Sequence, residues 1–430
     1  MSLADWKPAK LDELGFVGRG KSRHRPRNAA FLYGGRYPFF QTGDIKAANF
    51  YLTEYSQTYS EEGLAQSKLW KQGTLCITIA ANIAESAILG IEGCFPDSVV
   101  GFVADPDKAD VRFIKYYMEI LKLRMQNVSH GATQDNLSVD KLLSFDFLVP
   151  PLPVQQRIAS ILSAYDELIE NSLRRIKILE SMARALYREW FVHFRFPGHE
   201  HHPRIASPLG EIPQGWAVGE LGDLVQFKSG FAFKTGAFVP EGTYRLVTIK
   251  NVQDGWFLPN SDSRLDEFPE KLPAHCVLEN GDILLSLTGN VGRVCLVFDA
   301  PLLLNQRVSK LVPTNKLDWA LVYCAFREPA MRTKLEQLSN GVAQQNLSPI
   351  LAARMECVLP PQELREEFSR VATPTIKAVI QLYAKIQNLR RTRDLLLPRL
   401  LSGQVAVDAL TEAISDLPAT PLVQASGNVY

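Results

Sequence analysis

The chain has 430 residues, a length that fits two to four domains at about 100–200 residues each. With 46% hydrophobic and 22% charged residues it has globular composition, which excludes a disordered, collagen-like or wholly coiled-coil chain. Lys plus Arg is 47 and Asp plus Glu is 46, a net charge of +1, which excludes a histone-like basic binder while leaving room for local basic patches. No run of 18 apolar residues is present, and the start MSLADWKPAK has no apolar signal core, so neither a membrane span nor a secretory signal is expected. Cys76, Cys94, Cys276, Cys295, Cys324 and Cys357 are scattered with no C-x-x-C, which reads as free thiols in a reducing, cytoplasmic setting.

In chain order, the first feature is Gly15-Phe-Val-Gly-Arg-Gly20-Lys21-Ser22, which matches the phosphate-loop pattern G-x-x-x-x-G-K-[ST] letter for letter. The lead-in Lys7–Leu14 lacks a strand-like apolar run, and Pro26 interrupts any early helix, so the context of a nucleotide loop is wrong. The same stretch carries Arg19, Lys21, Arg23, Arg25 and Arg27 with no acid between them. It reads either as a solvated charge cluster or as a glycine-rich loop whose cations meet DNA phosphates, with Gly18 and Gly20 allowing close backbone approach. Short apolar runs punctuated by Gly, Asn and Pro follow, such as Thr74–Ala80, and these predict strands and turns.

Next comes Gly131-Ala-Thr-Gln-Asp-Asn-Leu-Ser138, which resembles Gly341-Val-Ala-Gln-Gln-Asn-Leu-Ser348 at an offset of 210 residues. Residues 131–151 and 341–361 share seven of 21 identities, including the paired prolines Pro150-Pro151 and Pro360-Pro361. Trp6, Leu11 and Leu14 fall on Trp216, Leu221 and Leu224 at the same offset. In mid-domain, Gly73–Asn82 aligns with Gly281–Asn290 at 208. The chain is therefore a tandem repeat with small loop insertions. In both motifs Asn-Leu-Ser reads as a turn or helix cap, or as a DNA contact through Gln134, Asn136, Gln344 and Asn346.

The long helices come after the paired prolines. Positions 158, 162, 165, 169, 172, 176, 179, 183, 186 and 190 alternate in spacing by four and three, and nine of the ten are apolar. The seam is Ile158, Leu162, Tyr165, Ile169, Ile176, Leu179, Leu186 and Trp190. The second helix repeats it 210 residues on with Phe368, Val379, Leu382, Ile386, Leu389 and Leu396. Sustained heptads of about 40 residues predict a two-helix coiled coil roughly 60 Å long, in preference to helices packed only on their own domains. Pro398 is expected to end or kink the second helix near its last turn. Between the halves, 196–210 reads as a solvated linker, and His199, His201 and His202 lack further ligands at metal-binding spacing. From Gly403 the tail has no sustained period and is expected to be mobile or to dock on a partner.

The resulting architecture is mixed α/β (α+β), with globular domains at 1–152 and 211–361, helices at 153–195 and 362–402, a linker at 196–210 and a tail at 403–430. Candidate DNA contacts, each weighed against a structural role, are Arg19, Lys21, Ser22, Arg23, Arg25, Lys46, Asn82, Gln134 and Asn136 in the first half. In the second half they are Lys228, Ser229, Lys250, Asn251, Asn290, Arg293, Arg307, Gln344 and Asn346. Amides and guanidinium groups read base edges in bidentate fashion, and lysines meet phosphates. The chain has no Asn/Asp-Pro-Pro-Tyr/Phe methyltransferase signature, no H-E-x-x-H, no G-x-S-x-G and no acidic cluster at nuclease spacing, so no covalent chemistry and no metal or cofactor of its own is expected.

Taken together, these residues resemble the specificity (S) subunit of type I restriction–modification systems over about residues 5–402. The resemblance rests on the two-fold repeat, on Trp190-Phe-Val-His-Phe-Arg-Phe-Pro-Gly198, on Gly210-Glu-Ile-Pro-Gln-Gly-Trp216, and on Leu148-Val-Pro-Pro-Leu-Pro-Val-Gln-Gln-Arg157 with Val358-Leu-Pro-Pro-Gln-Glu-Leu-Arg365. Val154-Gln155 departs from the acidic residue usual in that family, and Pro361–Glu367 is a looser match. The resemblance implies two target recognition domains, each reading half of a bipartite double-stranded DNA site. It implies two antiparallel spacer helices that dock two methylation subunits carrying S-adenosylmethionine, and restriction subunits that complete the nuclease. The alternatives are the recognition subunit of a bipartite system whose partner fuses cleavage and methylation, and a P-loop NTPase acting through Gly15–Ser22.

Overall fold

Short β-branched and apolar runs separated by turns build the same four-stranded antiparallel core in both halves of the chain. The computed structural model describes residues 6–23, 26, 29–130, 137–261, 263–339, 346–405 and 407. They fall into two compact units, residues 1–170 with 389–430 and residues 171–388.

The first unit runs β1 (Lys7–Ala9), β2 (Gly15–Arg19), β3 (Tyr33–Phe39), α1 (Thr42–Ala47), β4 (Tyr51–Leu52), β5 (Gln57–Tyr59), α2 (Glu61–Ala65), β6 (Leu75–Thr78), β7 (Ser86–Leu89), β8 (Val99–Ala104), α3 (Val111–His130), α4 (Val139–Ser144), β9 (Phe147–Val149) and the start of α5 (Leu152–Tyr187). Its main sheet has the order β2-β8-β6-β7-β4. Strands β6 and β7 are buried at every residue, which is why they lack an apolar–polar alternation. Helix α3 lays Phe113, Ile114, Met118, Leu121 and Met125 into the core at helical spacing.

The second unit carries β10 (Arg204–Ser207), β11 (Gly210–Pro213), β12 (Ala217–Glu220), β13 (Val225–Ser229), β14 (Tyr244–Val247), β15 (Arg264–Leu265), β16 (Val277–Leu278), β17 (Ile283–Ser286), β18 (Val294–Leu296), β19 (Leu302–Leu304), β20 (Val308–Pro313), α6 (Trp319–Phe326), α7 (Pro329–Ser339), α8 (Pro349–Ala353), β21 (Glu356–Leu359) and most of α9 (Gln362–Leu401). The sheet β13-β20-β17-β18 repeats the order β2-β8-β6-β7, and the pairing β12·β21 repeats β1·β9. A second sheet, β15-β14-β19-β16, accompanies it.

The repeat extends to single bonds. The Gly20 N–H donates to the Val99 carbonyl at 2.8 Å, and the Gly230 N–H donates to the Val308 carbonyl at 3.1 Å. A Cβ on Gly20 would stand 2.2 Å from the Pro96 carbonyl oxygen, and one on Gly230 would stand 2.3 Å from that of Asn305. These glycines close the backbone against its own fold, and that explains why both halves hold glycine there.

Every residue of the expected heptad seam is buried or half-buried. The seam does not serve the helix pair alone. In the first unit Ile158 and Leu162 share one core with Leu400 and Leu401 of α9 and with Phe113 and Phe147 of the domain. There the two helical segments run antiparallel, because Asp166 further along α5 pairs with Arg393, earlier in α9. In the second unit Ala183 and Trp190 share a core with Phe368, Ala372 and Ile376. Tyr383, outside the seam, stacks on Phe298 with ring centroids 4.8 Å apart.

Helix α9 does not stop at Pro398 but continues to Leu401. Proline removes one N–H donor and crowds the carbonyl four residues earlier, but the burial of Leu400 and Leu401 holds the last turn until Gly403, at φ 69°, ends it. Gln155, next to Val154 where the resemblance anticipates an acid, is 1% exposed. Its amide donates to the carbonyls of Lys108 (3.0 Å) and Pro150 (2.9 Å) and accepts from the Asp110 N–H (3.1 Å), locking the start of α5 to its domain. Segment 196–210, expected as a solvated linker, contains β10 and the start of its hairpin with β11. Phe196 in this segment is buried, with its ring 5.6 Å from that of Trp216.

Candidate nucleic-acid interface

One construction recurs in both units. It is the turn between β6 and β7 in the first, and between β17 and β18 in the second. The Thr78 hydroxyl donates to the Asn82 carbonyl, and its Oγ1 accepts the Glu85 N–H at 3.0 Å. The Ser286 hydroxyl donates to the Asn290 carbonyl, and its Oγ accepts the Arg293 N–H at 3.0 Å. A short hydroxyl is needed because it must satisfy a carbonyl and an N–H inside the turn at once. The backbone turns through left-handed residues at matching places, Ala81 and Ala84 (both φ 61°) and Gly289 and Gly292 (φ 73° and 80°).

The Gln/Asn motifs end on these turns. The Leu137 N–H donates to the Ile79 carbonyl at 2.9 Å, and the Leu347 N–H donates to the Leu287 carbonyl at 2.8 Å. Asn346 forms a β-bridge with Thr288, and its side chain is exposed. The following serines, Ser138 and Ser348, cap α4 and α8 through their hydroxyls, so the capping reading holds for the serine of each motif. Gln134, Asn136, Arg25, Arg27 and Gln344 lie outside the described residues.

Several predicted side chains therefore gather at the turn. In the first unit Lys46 Nζ donates to Asn82 Oδ1 at 3.1 Å. In the second unit Asn290 and Arg307 are exposed, and Arg293 donates to Gln253 Oε1 at 2.5 Å. The Leu287 N–H donates to the Arg307 carbonyl at 3.1 Å, placing Arg307 at the base of the turn. Lys250 is exposed on the segment whose Ile249 lies under Gly289. The linear sequence did not reveal Thr288 or Gln253 as members of this cluster, although the 208-residue alignment of the turns carries the signal for Thr288.

A second group lies along the edge strands. Arg19, Lys21 and Arg23 are exposed at and beyond the end of β2, and Lys228 and Ser229 are exposed on β13. The Arg19 Nε donates to the Asp97 carbonyl at 2.6 Å. Ser22 is half-buried, with its hydroxyl 3.0 Å from that of Tyr59. Lys68 sits over the rings of Phe16 and Trp70, at 4.8 and 3.7 Å from their centroids, and Phe16 is 57% exposed.

Three expectations are corrected. Gly15–Arg19 is not a loop but edge strand β2, paired through its length with β8, so its amides cannot cradle a phosphate and the P-loop alternative fails on geometry. Gly18 faces the rings of Phe16 and Trp70 rather than a ligand, and Gly20 faces the carbonyls of Phe95 and Pro96. Asn251 is 3% exposed and its amide is used internally. It accepts from the Thr248 N–H and hydroxyl (2.8 and 3.0 Å) and donates to the carbonyls of Leu258 and Asn260 (both 2.8 Å), leaving nothing to read a base.

The chemistry on offer is recognition. Amide and guanidinium donors stand exposed around a rigid turn, and burial pushes the thiols of Cys76, Cys295 and Cys324 up, away from the reactive thiolate. Among the described residues no cluster of three or more His, Cys, Asp or Glu is placed to hold a metal ion. No helix among them is long and apolar enough to cross a membrane.

The chain is similar to known proteins. The sequence profile described as "Type I restriction modification DNA specificity domain" matches residues 4–181 and again 213–350. The specificity subunit of the type I restriction enzyme MjaIX from Methanocaldococcus jannaschii is 24% identical over 427 residues, covering 94% of this chain and 95% of that one. The specificity subunit of the type I restriction enzyme HindI from Haemophilus influenzae is 22% identical over 475 residues, covering 94% of this chain and all of that one. The crystal structure of a type I restriction–modification S subunit from M. genitalium superposes with a TM-score of 0.60 at 18% identity, covering 92% of this chain and 96% of that one, which is a likeness of fold.

Proposed function

The chain belongs to the type I restriction–modification DNA specificity family and carries two copies of its domain, and we propose that each unit reads one half of a bipartite double-stranded DNA target through the turn cluster described above. The observation that carries this is the repetition of that cluster bond for bond. A protein with an internal pseudo-repeat offers the same tool to two half-sites, as a symmetric dimer does to a palindrome. The half-sites differ where the side chains differ. In the first unit Lys46, Asn82 and the edge cations Arg19, Lys21 and Arg23 face the DNA. In the second the contacts are Asn290, Arg293, Arg307, Asn346 and Lys250, with Lys228 and Ser229 along the edge. Lysines and edge arginines position the backbone, and the amides and turn guanidiniums specify.

The recognition domains correspond to residues 1–152 and 211–361, and helices 153–195 and 362–402 act as the ruler between half-sites. Those helices also present surface to two methylation subunits, which supply S-adenosylmethionine and the reaction that flips and methylates a base. Restriction subunits complete the assembly. The chain itself is non-catalytic and works in the cytoplasm, where the DNA is. Near-neutral net charge is compatible with this role because the partners enclose the duplex as well.

Single-molecule methylation mapping of cells expressing the companion methylation subunits, with and without this chain, tests the reading. A split motif methylated only when the chain is present supports it. Methylation that does not depend on the chain, with the companions shown to be expressed, refutes it.

A further inference from the structure

At the base of the repeated turn the two units differ at one equivalent position. The Ile79 N–H donates to the Ser98 carbonyl at 2.9 Å, and the Leu287 N–H donates to the Arg307 carbonyl at 3.1 Å. These are the same bond, because the next residues, Val99 and Val308, pair with Thr78 and Ser286 in matching strands. Ser98 and Arg307 therefore occupy one site in the repeat, and both backbones are anchored to the turn that carries Asn82 or Asn290.

Their side chains are not equivalent. Arg307 is exposed, and among the described residues its guanidinium has no hydrogen-bond or ion-pair partner. Its nearest counterpart in type, Arg293, is already engaged by Gln253, and in the first unit the corresponding position is Glu85, paired with Lys122 at 2.7 Å. Among the described residues Arg307 is thus a guanidinium at this turn whose donor fork is unused. A planar fork on a fixed backbone suits the O6 and N7 acceptors of guanine in the major groove. Ser98 is half-buried and carries one short hydroxyl, which either base edge satisfies.

We infer that Arg307 reads a guanine in the second half-site and that Ser98 leaves the corresponding position of the first half-site without that requirement. This rests on the reading of the units as DNA recognition domains. A phosphate contact by the same side chain differs in kind, because it needs only positive charge and acts alike on every sequence.

The test maps methylation by the full chain with its methylation subunits, for wild type, Arg307→Lys and Arg307→Ala. The wild type should show a split motif with a required G·C pair in its second half. Both variants should accept other base pairs at that one position, with discrimination there falling about 10- to 100-fold, while the first half-site stays unchanged. Arg307→Ala that leaves the motif base for base as in wild type overturns the inference and makes Arg307 a contact that reads no base, with recognition by the unit intact. Loss of methylation by both variants at wild-type melting temperature also overturns it, assigning Arg307 to affinity alone. A wild-type chain that directs no split motif refutes the recognition reading itself, which the variants cannot do.

Discussion

Asp166 on α5 pairs with Arg393 on α9 inside the first unit, whereas the residues one repeat away, Ile376 and Ala183, are both apolar and buried in the second. The repeat therefore holds an ion pair and its apolar replacement at matching positions. Asp166 is 2% exposed and also accepts from the Tyr116 hydroxyl, whose burial pushes its ionisation far up.

A buried pair is expensive to break and inexpensive to replace. Arg393→Ala alone should cost about 3 kcal/mol, since it strands a buried carboxylate. The triple variant Tyr116→Phe, Asp166→Ile, Arg393→Ala should unfold within about 1 kcal/mol of wild type, because it installs the second unit's solution and leaves no unpaired hydroxyl. Urea melts of the three proteins decide the matter. Equal loss in the single and triple variants would show that the second unit's packing does not transfer.

The shared glycines make a steric prediction. Gly20→Ala and Gly230→Ala each drive a methyl into a backbone carbonyl 2.2–2.3 Å away, and each should lower stability by about 1–3 kcal/mol. Gly43→Ala, inside helix α1 with nothing within 4 Å of the added carbon, is the control and should be neutral to stabilising by up to about 1 kcal/mol. Thermal unfolding of the three variants is the measurement.

The left-handed alanines predict the opposite sign. Ala81 holds φ 61° where the other unit has Gly289, so Ala81→Gly should stabilise by up to about 1 kcal/mol, and Gly289→Ala should destabilise by about the same. The strain is tolerated in the first unit because the Thr78 hydroxyl and backbone bonds over-determine the turn. Matching melting temperatures for Ala81→Gly and wild type would mean that the turn relaxes.

Two predictions concern the assembled function. Replacing residues 1–150 with the corresponding domain of another family member should alter one half of the methylated motif and leave the other. Inserting seven residues into each long helix adds about 10.5 Å, or roughly three base pairs, so the spacer should lengthen by that amount or methylation should be lost. Methylation mapping reads both. An unaltered spacer would remove the helices as the ruler.

The repeat, the mixed fold and the two heptad helices could be read from the linear chain, since periodicity and offset are properties of residue order. Ile158, Leu162, Phe368 and Ile386 are buried as their spacing requires. What failed were readings that depend on what a backbone touches. Gly15–Ser22 matches a phosphate loop in letters, but hydrogen bonding to β8 makes its first five residues an edge strand. Asn251 has the right side chain for base reading, yet its amide is consumed by Thr248, Leu258 and Asn260. Arg307 stood among many cations until the carbonyl bond to Leu287 set it at the turn. Residue order alone determined two homologous recognition domains on long helices, because hydrophobic period and self-similarity are read along the chain without knowing what any residue touches. The tertiary structure alone decided which polar side chains remain free to bind, because that depends on partners distant in the chain that either satisfy a donor or leave it open.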